Sequence, residues 1–422
     1  MCYRVLRLLF GVAFFSSSLV AEDWPQFRGP GGQGHAASTV LPLHWSESEN
    51  VVWKVFVPGV GHSSPIVSGD QVWLTSAVDD GRSLRVLCFR RRTGEVVHDL
   101  ELFRLDEAGK AHSKNSYASP TPVLDEERVY IHFGHVGTAC VSRSGELVWK
   151  TVALDYVQPY SGGSSPVLFE DLLILNCDGS DRQFVVALDK RNGEVIWKSD
   201  RQHLLVHDQN IGGSAGFMKQ SYATPLVVEV HGVPHLISPG ADHVSAYDAR
   251  TGREIWWLGY KGFSEVIRPV VGHDLVFVGG FENISQPVLY AIRPTGSGEI
   301  GRTHVEWALK KGAPHVPSPL LVGDELFLIN DRGIAICLDA KTGVEHWKER
   351  IGGNHFASPI YAGGRIYCFS EEGKTTVFAA SKQFSLEAEN QIDGGLMASP
   401  AVAGSSLFLR SETQLYRIEQ RS

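Results

Sequence analysis

The chain has 422 residues, 43% of them hydrophobic and 20% charged, with a formal net charge of −8 and no basic run. That balance argues against nucleic acid or an anionic membrane surface as the main partner. With 44 glycines and 20 prolines, it suits a turn-rich, all-β chain.

The first element in chain order reads as a secretory signal, residues 1–21. Arg4 and Arg7 supply positive charge, Leu8 to Phe15 is apolar, and Ser16 to Ala21 is rich in small residues, with cleavage expected after Ala21. A membrane anchor is the other reading, but the apolar run is short for a span, and no later stretch is long enough to cross a bilayer. The protein is therefore expected in the periplasm or secreted. No Cys follows the apolar run, so a lipid-modified N-terminus is not indicated. Residues 22–49 read as an N-terminal arm. Within it, "GPGGQG" from Gly29 to Gly34 matches G-x-G-x-x-G. It neither follows a strand nor opens a helix, so it reads as a flexible segment rather than a phosphate cradle.

Residues 50–422 carry a repeat. Ser-Pro or a relative recurs at Ser64-Pro65, Ser119-Pro120, Ser165-Pro166, Thr224-Pro225, Arg268-Pro269, Ser318-Pro319, Ser358-Pro359 and Ser399-Pro400. A period of forty to fifty residues marks a solenoid or propeller. Each unit opens with Ser-Pro and a short apolar run. A turn and a second run follow, such as "GDELFLI" from Gly323. A third strand ends small-then-acidic, as at Asp189, Asp248 and Asp339. A glycine turn then leads to a fourth strand with an aromatic slot, filled by Trp149, Trp197, Trp256, Trp307 and Trp347. The turn glycine supplies positive φ, and the tryptophans read as packing between sheets.

Four strands per unit with a periodic aromatic predict an eight-bladed β-propeller of four-stranded antiparallel blades; seven blades is the rival count. The last unit, from Ser399, stops after three strands. Trp53 marks an orphan strand before the first unit, so pairing the N-terminal strand with the C-terminal blade would close the ring. Cys88, Cys140, Cys177, Cys337 and Cys368 lie in strand-like runs; an odd number of cysteines after the signal does not read as a disulfide framework. They read as small buried hydrophobes.

These motifs, best in "VALDKRNGEVIWK" from Val185 and "ICLDAKTGVEHWK" from Ile336, resemble the PQQ-like repeat family over most of residues 50 to 420. The opening "DWPQFRGPGGQG" resembles the start of exported propellers of planctomycete-type bacteria. The resemblance implies one of two branches, quinoprotein alcohol dehydrogenases or non-enzymatic BamB-like propellers. The dehydrogenase branch has an adjacent Cys-Cys pair and a calcium site of acidic and amide side chains. This chain has neither an adjacent cysteine pair nor a compact cluster of that kind, so no quinone cofactor and no metal are expected.

No catalytic residues are assigned. "GGSAG" from Gly212 to Gly216 matches a nucleophile-elbow pattern, with His203, His207 and Asp208 upstream, but the strand-to-helix setting is missing. The functional signal lies instead in connections from the fourth strand of one blade to the first of the next, which open on one face. Two are long, Glu101 to Ala118 and Ser199 to Ala223, and they end alike in "KNSYASP" and "KQSYATP". Lys114, Tyr117, Lys219 and Tyr222 in these endings, with His62, Tyr160, Arg268, His315 and His355 at similar offsets, are expected around the channel mouth. The expectation is an exported, non-catalytic scaffold binding an envelope protein or small ligand there. A divergent quinone-dependent oxidoreductase is the alternative.

Overall fold

Strands of two to nine residues, set apart by glycine- and aspartate-bearing turns, form eight sheets whose successive strands pair antiparallel. The computed structural model describes residues 23–37, 40–203, 217–283, 286–301 and 303–420. Residues 1–21, expected to be a signal, and His207, Asp208 and the 212–216 motif lie outside the described residues. The blades, numbered 1 to 8, begin with the strands Ile66–Ser68, Val123–Leu124, Val167–Phe169, Leu226–Val230, Val270–Gly272, Leu320–Val322, Ile360–Ala362 and Ala401–Ala403. Seven sheets have four strands. Blade 4 adds a fifth, Gly298–Glu299, parallel to its outer strand. The ring closes as expected: Val51–Phe56 pairs antiparallel with Gln414–Ile418 and supplies the fourth strand of blade 8.

The repeated tryptophans tie six of the eight blades to the next; the slot holds His98 in blade 1 and Ala388 in blade 7. The indole N–H donates to a carbonyl between the third and fourth strands of the following blade: Trp53 to Arg91, Trp149 to Lys190, Trp197 to Ala249, Trp256 to Pro294, Trp307 to Ala340 and Trp347 to Ser381, at 2.9–3.2 Å. The turn glycine lies on the same ring. A Cβ on Gly193, at φ +78°, would stand 2.6 Å from Trp149. Glycine is therefore needed twice there, for its dihedral and for its missing side chain. Opposite the tryptophan slot the third strand keeps a small residue: Ala187 faces Trp197, while Cys140 and Cys337 face Trp149 and Trp347. Burial pushes the Cys140 and Cys337 thiols up to about 12, so they are inert fillers.

The first strands surround the channel, and the residue before each proline builds a belt around it. Ser64 N–H donates to Thr121 Oγ1, Thr121 to Ser165, Ser165 to Thr224, Arg268 to Ser318, Ser318 to Ser358, and Ser358 to Ser399, all at 2.8–3.0 Å. This corrects one register. In blade 2 the belt residue is Thr121, before Pro122, and not Ser119. The sequence offers two Ser/Thr-Pro pairs two residues apart, and a shift of two leaves the same strand face inward.

The arm is also corrected. Residues 23–36 are not a loose segment but cross the channel. Trp24 bridges Val67 of blade 1, Leu124 N–H donates to the Pro25 carbonyl, and the backbone from Gly34 to Ala36 pairs with Tyr361 of blade 7. Midway, the fully buried Arg268 of blade 5 donates to the Phe27 carbonyl and, at 3.3 Å, to Gln26. Arg28 in turn donates to the Pro319 carbonyl of blade 6 at 2.6 Å. Gly32 and Gly34 have positive φ, and a Cβ on either would collide with the guanidinium of Arg268 or Arg28. The glycine pattern is thus a requirement of threading past two arginines.

Candidate functional site at the channel mouth

With the arm across the channel, Phe27 becomes the floor of a cavity of about 230 Å³ on the face where fourth strands connect to first strands. Its base is the belt, represented by Ser64, Thr121, Ser165, Thr224, Ser358 and Ser399. Apolar wall is contributed by Val266, Val316, Phe356 and Met397, and the rim carries His112, Lys114, Asn115 and Tyr160. No Asp or Glu lines it.

Five residues expected at the mouth line this cavity: His62, Lys114, Tyr160, Tyr222 and His315. His62 sits edge-on to Phe356 with ring centroids 6.2 Å apart. Burial first, then the Arg410 charge, lowers its pKa to about 4, so the ring is neutral at pH 7. The Tyr222 hydroxyl donates to Gln220 at 3.2 Å, and burial raises it to about 12. His315 is fixed from two sides: its backbone N–H donates to Asp331 at 2.8 Å, and its ring meets the Ser264 carbonyl at 3.1 Å.

The other four lie elsewhere. Tyr117 donates to the Gly109 carbonyl at 2.8 Å and packs on Gly81, stapling its own loop. Lys219 sits on the single turn Phe217–Lys219, outside the lining. Arg268 holds the arm below. His355 is 1% exposed, with its ring on the Gly352 carbonyl at 3.0 Å. The belt register explains why the twin endings diverge. Tyr222 stands two residues before its belt threonine, Thr224, whereas Tyr117 stands four before Thr121. Matching letters therefore occupy different places.

Sequence reasoning missed Asn115, His112 and Phe27. Asn115 pins the first long connection: its amide donates to the Tyr160 carbonyl at 2.9 Å, and its oxygen accepts from Ser116 N–H and the Ser119 hydroxyl. The signal available for it was its place between Lys114 and Ser116 in the repeated ending. Phe27 gave none, because its position depends on Arg268, 241 residues away.

The second long connection begins over a fully buried ion pair. Arg201 contacts Asp178 at 2.5 and 2.9 Å and donates to the Ser238 hydroxyl at 2.9 Å. Its far end is tied to the next connection: the Tyr222 backbone N–H donates to the Glu265 carbonyl, and the Glu265 carboxyl accepts the N–H groups of Val266 and Ile267 at 3.2 and 3.0 Å. Burial pushes this carboxyl up to about 8. His203 stacks on Trp257 with centroids 4.0 Å apart and meets Glu254 at 2.8 Å. Among the described residues, no group of three or more His, Cys, Asp or Glu side chains could hold a metal ion.

On the opposite face, Arg268, Gln26 and Gly31 border a wider opening of about 470 Å³ between blades 3 and 4.

Fold and site together define an eight-bladed propeller with a ligand-sized chamber on one face, sealed from below by its own N-terminal segment. The chain belongs to the PQQ-like repeat propellers, in the family described as "Outer membrane protein assembly factor BamB", whose model matches residues 132–280 and 181–422. The outer membrane protein assembly factor BamB of Legionella pneumophila (strain Paris) is 22% identical over 204 residues, 47% of this chain. The match spans 50% of that protein, about half its length. Among solved structures, BamB from Moraxella catarrhalis superposes with a TM-score of 0.59 at 14% identity, covering 87% of this chain and 99% of that one. A europium-containing methanol dehydrogenase gives 0.65 at 11% identity, covering 92% and 89%. A quinohemoprotein alcohol dehydrogenase from Comamonas testosteroni gives 0.68 at 9%, covering 95% and 81%. At these identities the likeness is one of fold. No helix among the described residues is long and apolar enough to cross a membrane.

Proposed function

We propose that this protein is an exported, non-catalytic binding scaffold of the cell envelope, in the periplasm or outside, and that its partner or ligand occupies the face of the long connections. The observation that carries this reading is the channel-mouth chamber, whose rim the first long connection supplies through His112, Lys114 and Asn115. The family's description as an assembly factor supports a scaffold over an enzyme. The lining also holds no carboxylate to act as base or to bind a metal beside a quinone, and the described cysteines are buried singly. We therefore propose that no quinone is carried, against the alternative of a quinone-dependent oxidoreductase.

The test replaces the exposed rim by His112→Ala, Lys114→Glu and Tyr160→Ala together and uses the protein as bait in envelope extract. Wild type should retain partners that the folded triple variant loses; identical capture by both would overturn the reading. Titration with pyrroloquinoline quinone should give the same melting temperature with and without calcium. A calcium-dependent rise would favour the enzyme, since a metal and quinone held together by the folded state stabilise it, whereas a calcium-independent rise reports only an aromatic acid in the chamber.

A further inference from the structure

The belt hydroxyls do more than accept. Thr121, Ser165 and Thr224 each take a backbone N–H on the oxygen, are 2–3% exposed, and line the chamber. A hydroxyl that accepts still has a proton to give. Among the described residues no protein acceptor takes the proton of any of these three. They are consecutive around the ring, in blades 2 to 4, below the rim that carries Lys114, which has no ion-pair partner among the described residues.

This arc therefore gathers donors without acceptors, in a chamber that no Asp or Glu lines. Beneath the floor, Arg28 and Arg268 are buried together, and neither has a carboxylate partner among the described residues, which adds positive potential from below. A cation would be repelled from such a site. A neutral carbonyl would use one or two donors, whereas an ionised carboxylate can accept from all three and from the ammonium.

We propose that the arc formed by Thr121, Ser165 and Thr224, beneath Lys114, is a carboxylate-binding subsite. It takes the acid group of a ligand whose apolar body packs on Phe27, Phe356 and Met397. This inference rests on the reading of the chamber as a binding site and names the chemistry it selects.

The belt supplies its own control. The Ser165 and Ser318 hydroxyls each accept one neighbouring N–H, and each residue's backbone N–H donates to the next hydroxyl, at 2.9–3.0 Å. Only Ser165 lines the chamber. Ser165→Ala and Ser318→Ala should therefore lower the melting temperature alike and differ in binding. The probe is 4-fluorobenzoate, followed by fluorine NMR on the whole protein, with 4-fluorobenzamide as its neutral counterpart. The acid should bind at least about tenfold tighter than the amide, and Ser165→Ala should weaken the acid about fivefold while Ser318→Ala leaves it unchanged. An acetyl-Gly-Glu-Gly-amide peptide, run beside its Gln counterpart, reads whether the carboxylate arrives on a chain or on a small acid. Equal binding of acid and amide in both pairs, no binding of either acid, or equal effects of the two serine variants would overturn the subsite. No partner is needed for this measurement. Probe binding with no protein captured in the pull-down would retire the scaffold and leave the subsite, and the reverse result would do the opposite.

Discussion

Blades 6 to 8 and blades 1 to 4 obey the same grammar and differ in what joins them. From Ser318 to Ser358 and on to Ser399, the belt residues are 40 and 41 positions apart, and the connections between blades are short. From Ser64 to Thr121 and from Ser165 to Thr224 the separations are 57 and 59. The hydrogen bonds made by the belt are the same in both regions. The bare half shows what a ring needs; the excess length in the other half supplies the rim of the chamber. The belt is thus shared around the ring, while the rim supplied by excess length is concentrated on one side.

The largest effect that would sharpen this contrast is at Arg201, beneath the second long connection. Arg201→Ala strands the buried Asp178 carboxylate and should cost about 3–5 kcal/mol in denaturant unfolding. A loss below about 1 kcal/mol would mean that the loop-bearing half does not depend on the pair. Next comes Gly32→Val, in the arm that touches both halves. A branched side chain at positive φ, driven into Arg268, should cost about 3 kcal/mol and open the chamber floor, seen as faster acrylamide quenching of tryptophan fluorescence.

A smaller effect is expected from pH. The folded Glu265 carboxyl is raised to about 8, above its ordinary 4.5, so the folded chain keeps a proton that the unfolded chain has lost. Stability from this group is fullest below pH 4.5 and declines as pH rises toward 8. Buried histidines with lowered values, such as His62, oppose this only below their ordinary 6.5. The decline should therefore be cleanest between pH 6.5 and 8, and Glu265→Gln should flatten the melting temperature across that window. An unchanged slope in the variant would remove Glu265 from the account. The smallest effect should come from Arg250→Ala, which breaks an exposed pair with Glu170 on the opposite face. Its melting temperature should be inseparable from wild type.

The blade grammar was legible because it is periodic. Eight blades, closure through Val51–Phe56 and small residues opposite tryptophans all follow from patterns repeated along the chain. The register of blade 2 was not legible, because "SPTP" fits the period twice and only the bond from Ser64 to Thr121 selects one fit. The site was partly legible. His62 and Tyr222 stand two residues before their belt residues and His315 three, so the repeat carries them to one mouth, whereas Lys114 and Tyr160 lie seven and five before and reach it through the connections themselves. The chamber floor was invisible, because the arm occurs once, has no period, and is held by partners hundreds of residues distant.

The closure strand also sets an order of assembly. Val51 pairs with Ile418, so the ends of the ring meet only when nearly the whole chain is present. During synthesis the arm and the first strand emerge early and wait through seven blades for the partner that completes the eighth. Until then Val51–Phe56 is an unpaired strand edge, open to any other strand it meets. With so many of its deciding contacts far apart in sequence, the protein should fold slowly for its size. A holding factor that covers this one edge would protect it through the whole interval.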